Sequence, residues 1–252
     1  MPLAGATVFS ATATPCCWRK TPPARSRSLD AQSKSRLSGA SDIIVTICSY
    51  EKTMKLIGLL SNPYVRKARI VLAEKKIEYD LERNECALSP DCNPLGERLA
   101  LLLDDGTPLF DARVIVEYID NISPNSMLFP RTNRERTEVK RWEVIADGLL
   151  EAIEWVRQES ARPVTERRAA FVHQQQEKIS RCLAFMEQNL GELPFCTGKS
   201  LTLADLAVGT ALSYLLFRFP EITWNGTHPF LAQLYAKLEQ RPSFQETAFQ
   251  EP

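Results

Sequence analysis

The chain has 252 residues, 44% of them hydrophobic and 25% charged, enough apolar material for one or two packed domains. Its 31 Lys and Arg match its 31 Asp and Glu, so no net field draws it toward nucleic acid or an anionic membrane. No apolar run approaches the roughly 20 residues that span a bilayer, and the seven cysteines, odd in number and without a CxxC pair, fit neither a disulfide framework nor a zinc site. A soluble protein of the reducing cytoplasm is the expectation, with no nucleic-acid or membrane partner.

Residues 1–53 differ from the rest: they are rich in Ala, Ser, Thr, Pro and Arg and show no sustained apolar period. They read either as a transit peptide, being basic and poor in acid, or as a disordered or wrongly included stretch ahead of a true start at Met54. The purine-only codons of Glu51 and Lys52, just upstream of Met54, favour the second reading.

From Met54 the run MKLIGLL predicts a strand. Ser61, Asn62 and Pro63 then announce a helix, with two capping side chains and a proline at the first turn, where its missing N–H costs nothing. Val65, Ala68, Arg69, Val71, Leu72 and Ala73 recur at near-helical spacing. Ile77 to Arg83 predicts a second strand, and a polar stretch with Cys86 and Cys92 leads to a turn at Asn93 to Gly96. Leu99 to Leu103 and Pro108 to Phe110 flank Asp104, Asp105 and Gly106, a strong hairpin signal. Asp111 opens a helix with Val114, Ile115, Tyr118 and Ile119 on one face.

The runs MKLIGLLSNPYVRKARIVLAEKKIEYD, NPLG, the DDG hairpin, DARVIVEYI, ADGLLEA and TLADLAV, in that order and spacing, resemble the bacterial glutathione S-transferase family across residues 54–252. The resemblance implies an α+β fold. A thioredoxin-like domain (βαβαββα) over residues 54–123, a linker at 124–133 and an all-helical domain over 134–252 are the expected parts. It implies glutathione as co-substrate, a small-molecule electrophile, a role in detoxification, and a homodimer.

Residue by residue, the resemblance places Asn62 and Ser61 at the glutathione sulfur, where a hydrogen bond and the helix dipole favour thiolate. Asn62 stands where relatives carry Ser or Cys, and can donate its amide N–H instead. Arg98 and Leu99 stand where the family has a Val-Pro pair with a cis proline against the cysteinyl part. A cis bond before Leu99 would cost about 2.5–4 kcal/mol, so a different loop is expected there. Asp111 and Ala112 match the acidic-Ser pair that holds the γ-glutamyl end at a helix start; with Ala in place of Ser, the backbone donors remain and one hydrogen bond is missing.

After the linker, Val139, Trp142, Ile145, Ala146, Leu149, Leu150, Ile153 and Trp155 or Val156 keep a helical period up to Arg162 and Pro163. In the family this helix lines the electrophile site, which makes Trp142, Ile145 and Leu149 the candidates for an apolar pocket. A second helix is expected from about Thr165 to Leu190, where His173 lies among glutamines with no catalytic partner. Thr202 and Asp205 form a capping box ahead of an apolar helix from Leu206 to Phe217, and Pro229 to Leu238 closes the domain. The changes at Asn62, Leu99 and Ala112 support an alternative, a non-catalytic member similar to the stringent starvation protein, which works by contact with RNA polymerase.

Overall fold

Strand β1 (Lys55–Gly58) buries Leu56 and Ile57 and forms the middle of a four-stranded sheet ordered β2-β1-β3-β4. The computed structural model describes residues 54–83, 93, 95 and 99–251, and these belong to one compact unit, Thr53–Pro252. Strand β2 (Asp80–Glu82) runs parallel to β1, with Leu56 opposite Leu81. Strand β3 (Leu99–Leu102) is antiparallel to β1, with Gly58 opposite Leu99. Strand β4 (Pro108–Leu109) closes the edge through a hairpin whose turn holds Gly106 at φ 84°, a conformation an L side chain resists.

Helix α1 (Pro63–Lys75) connects β1 to β2 and starts as expected. The Asn62 carboxamide oxygen accepts from the backbone N–H groups of Tyr64 at 2.8 Å and Val65 at 3.3 Å. It ends at Lys76, in the left-handed region, with Ile77 N–H returning to Leu72 C=O. That return uses up the start of the expected second strand, so pairing begins only at Asp80 and covers three residues. The second helix of the expected βαβαββα order, together with Cys86, Cys92 and Arg98, falls outside the described residues.

Helix α2 (Ala112–Ile122) buries Ala112, Ile115, Val116 and Ile119 against α1. Val114, expected on that face, is instead 51% exposed, because it lies about 100° round the helix from Ile115. Between α2 and the next helix, Asp120 organises the connection. Its carboxylate accepts from Lys75 Nζ and from the backbone N–H groups of Leu128 and Phe129. Lys75 is 1% exposed, so an otherwise costly buried charge is matched here by a carboxylate and by the Ser126 carbonyl.

Helix α3 (Asn133–Ala161) is capped by Thr132 and stops at Arg162, which precedes a proline and so avoids helical backbone. A single 3-10 turn, Val164–Glu166, comes before α4 (Ala169–Leu190), so the second helix starts later than the sequence suggests. The delay has a local cause: the Glu159 carboxylate accepts from the Arg168 backbone N–H at 3.0 Å and from its guanidinium. Helix α5 (Leu203–Arg218) is the core of this half, and the Thr202–Asp205 capping box forms as read. Asp205 also accepts from Cys196 N–H at 2.7 Å, tying the preceding turn to the helix. Helices α6 (Pro229–Glu239) and α7 (Pro242–Gln245) finish the chain. From α7 onward it lies along α1: Arg241 donates twice to Glu74, and Arg69 donates to the Glu246 and Thr247 carbonyls.

Candidate glutathione-type cleft and the family it defines

The N-terminus of α1 opens into a cleft of about 400 Å³. One wall is the β1–α1 turn: Leu59, Ser61, Asn62, Pro63 and Tyr64. The other is the late half of α3 and the end of α5: Leu150, Glu154, Arg157, Gln158, Tyr214 and Arg218. Ser61 and Asn62 are therefore brought together at the mouth of the helix, where the aligned peptide dipoles give a positive field. Because the Asn62 oxygen is bound to the helix amides, its planar carboxamide turns the N–H₂ group away from them. No hydrogen bond from that N–H₂ is made within the described residues. It is a donor at the open end of a helix dipole.

A second hollow of about 90 Å³ adjoins the first, with Tyr64 common to both. It is lined by Asp111, Ala112, Arg113 and Asp147. Asp111 caps α2 by accepting from Arg113 N–H at 2.7 Å, and does so at φ 67°, a region that costs a non-glycine residue about 1–3 kcal/mol. Ala112 is 4% exposed in the first turn, so a serine there would put a hydroxyl next to the helix-start amides. Leu99 is buried in β3, one strand away from β1, and Arg98 lies outside the described residues.

Beneath this hollow sits a charge cluster that sequence reading did not reveal. Lys67 of α1 is fully buried and donates to Glu143 at 3.0 Å and Asp147 at 2.8 Å, both on α3. Arg113 of α2 donates to the other Asp147 oxygen at 3.0 Å. Burial disfavours the Lys67 ammonium, but Asp147 and Glu143 more than offset it and hold its pKa above the ordinary value. Burial pushes the Glu143 carboxyl up, against the pull of Lys67. Three helices are thus fastened at one point under the cleft. Glu143 and Asp147, four residues apart inside the apolar run from Val139 to Leu150, were the available signal.

The α3 wall is also different from the expected one. Trp142 and Leu149 are buried in the core and Ile145 is packed against it, and none of the three lines the cleft. The apolar stripe of α3 faces α4 and α5, leaving a neighbouring, more polar face to the opening. There the Glu154 carboxylate accepts from Arg157 Nε at 2.9 Å and Nη2 at 2.6 Å, from Gln158 at 3.0 Å and from the Tyr214 hydroxyl at 2.8 Å. Burial works to raise this carboxyl, but those hydrogen bonds bring it from 4.5 to about 2. Arg218 Nε donates to the Tyr214 oxygen at 3.2 Å.

The described cysteines, Cys182 and Cys196, are both pushed up in pKa by burial, so neither is a ready nucleophile. Among the described residues no cluster of His, Cys, Asp or Glu fits a metal ion, and no helix is long and apolar enough to cross a membrane.

Known proteins resemble this chain in sequence and fold. Residues 52–121 match the glutathione S-transferase N-terminal domain and residues 139–237 its C-terminal domain. The uncharacterised GST-like protein YibF of Escherichia coli is 34% identical over 199 residues, covering 77% of this chain and 98% of that protein. A glutathione S-transferase of Methylobacillus flagellatus, crystallised with glutathione bound, superposes with a TM-score of 0.76 at 39% identity, covering 79% of this chain and all of that one. A Pseudomonas fluorescens family member with bound S-(propanoic acid)-glutathione gives a TM-score of 0.71 at 34% identity, again covering 79% of this chain and all of that one. A thioredoxin-like sheet domain joined to a helical domain is what these matches have in common, and the chain belongs to the glutathione S-transferase family.

Proposed function

We propose that the protein binds glutathione across the two adjoining hollows and uses its thiolate against a small electrophile. The sulfur lies by Ser61 and Asn62, and the γ-glutamyl carboxylate meets the start of α2 at Asp111 and Ala112. The single observation that carries this reading is the Asn62 carboxamide: it lines the cleft, caps α1 with its oxygen and has no partner for its N–H₂ among the described residues. A free N–H donor in a positive dipole field favours an anion over a neutral thiol. Relatives that hold glutathione or an S-substituted glutathione support the same ligand here.

We further propose that the protein works in the cytoplasm as a homodimer in detoxification. Val114 on α2 and Val144 on α3, exposed by 51% and 53%, are the apolar side chains such an interface would cover. Sedimentation of the full chain tests the dimer, which a monomer at micromolar concentration would refute.

Isothermal titration with glutathione tests the main reading. Binding between the micromolar and low millimolar range supports it. An absence of heat at several millimolar would overturn it in favour of the non-catalytic alternative, in which altered positions such as Leu99 and Ala112 mark a protein that acts by contact with other proteins.

A further inference from the structure

The wall of the cleft facing the thiol site is charged, and its two arginines are held differently. Arg157 spends its guanidinium on a two-point pair with Glu154, which also accepts from Gln158 and Tyr214, so that group is internally satisfied. Arg218 is the other cation on this wall. Its planar group lies over Phe217 at 4.5 Å and Tyr214 at 5.3 Å, and its Nε is fixed by the Tyr214 oxygen. With a side chain only 16% exposed, it is a positioned fork rather than a free surface charge.

The carboxylate that meets this fork comes from the end of the chain. Arg218 Nη1 donates to Glu251 at 2.9 Å, and Glu251 is 64% exposed, one residue from the C-terminus. An ion pair with one partner so open to water is weak and exchangeable. Glu251 thus holds an Arg218 donor that a ligand carboxylate could take in its place.

Building on the glutathione reading above, we propose that Arg218 receives a carboxylate of the second substrate, which displaces Glu251. The protein therefore takes acidic electrophiles in preference to neutral ones of the same shape. The polar wall of Glu154, Arg157, Gln158 and Tyr214 is satisfied within itself, so Arg218, held to the chain by an exposed carboxylate, is the cation on this wall left to meet a ligand.

Binding of S-(carboxyalkyl)glutathiones with one to three methylenes, each compared with its isosteric carboxamide, tests the proposal in the full-length protein. At one chain length the acid is expected to bind about tenfold tighter than the amide, the scale of one charge-assisted hydrogen bond. Arg218→Gln should abolish the preference while leaving glutathione itself bound, and Glu251→Gln should enlarge it by freeing the fork. Equal binding of acid and amide at every length, with glutathione still bound, overturns this inference and leaves the glutathione reading intact. A failure of glutathione to bind would remove both. A preference for the acid that survives in Arg218→Gln would also overturn it, by assigning the carboxylate to another group.

Discussion

Helix α3 carries two charged clusters a few turns apart, and they stand in opposite relations to water. Glu143 and Asp147 meet Lys67 in a sealed seam, where the lysine side chain has no exposed surface. Glu154 and Arg157 meet Tyr214 on the wall of an open cleft, with side chains 34% and 42% exposed. The chemistry is the same in both: carboxylates, a cation and good geometry. The difference in solvent decides what each can do. The sealed seam holds three helices in register beneath the α2 hollow, and the open cluster forms a cleft wall that water reaches.

The sharpest way to break the contrast is Lys67→Met. It strands the Glu143 carboxylate in the interior and leaves Asp147 with Arg113 alone, and removing one partner of a buried pair costs about 3–5 kcal/mol, to be read from the denaturation midpoint. A loss below 1 kcal/mol, on the scale of a surface pair, would mean the seam is not sealed.

Glu154→Gln should cost far less at neutral pH, within about 1 kcal/mol, because solvent screens this cluster. Its signature is in acid. The Glu154 carboxyl sits at about 2 in the folded protein against an ordinary 4.5, so its stabilisation is complete above 4.5 and is lost as the pH falls toward 2. Wild type should therefore exceed the variant at pH 7, and the gap should close in that window. A gap that stayed constant down to about pH 2 would contradict the linkage.

The smallest effect concerns the hollow above the seam. Ala112→Ser should supply the missing hydroxyl at the start of α2 and tighten glutathione binding by about fivefold, one neutral hydrogen bond, without changing stability. Unchanged affinity, measured by the same titration, would mean that the γ-glutamyl end does not lie there.

Local signals in the chain were legible from sequence because their partners are neighbours. Asn62 with Pro63 marked the start of α1, Pro163 ended α3, and Thr202 with Asp205 capped α5. The charged clusters were not legible, because Lys67 meets Asp147 eighty positions away and Tyr214 meets Glu154 across sixty. Periodicity revealed which face of α3 is buried, and that same face drew attention to Trp142 and Leu149, which the core consumes. The cleft wall is the adjacent face, where Leu150 and Glu154 alternate with charge. Val114 shows a related limit: adjacent β-branched residues in α2 blur the edge of the stripe, and only packing against α1 fixes it.

The central claim is that the open end of α1, with the Asn62 N–H₂ group, stabilises a thiolate. The direct measurement is the thiol pKa of bound glutathione, read from thiolate absorbance against pH in wild type and in Asn62→Asp. Aspartate keeps the helix cap but replaces the donor with a negative charge. The account predicts a bound thiol below the usual value of about 8.5 in wild type, and a rise of at least one unit in the variant with stability unchanged. A bound thiol at its free value in both proteins would contradict it and leave Asn62 as a helix cap alone.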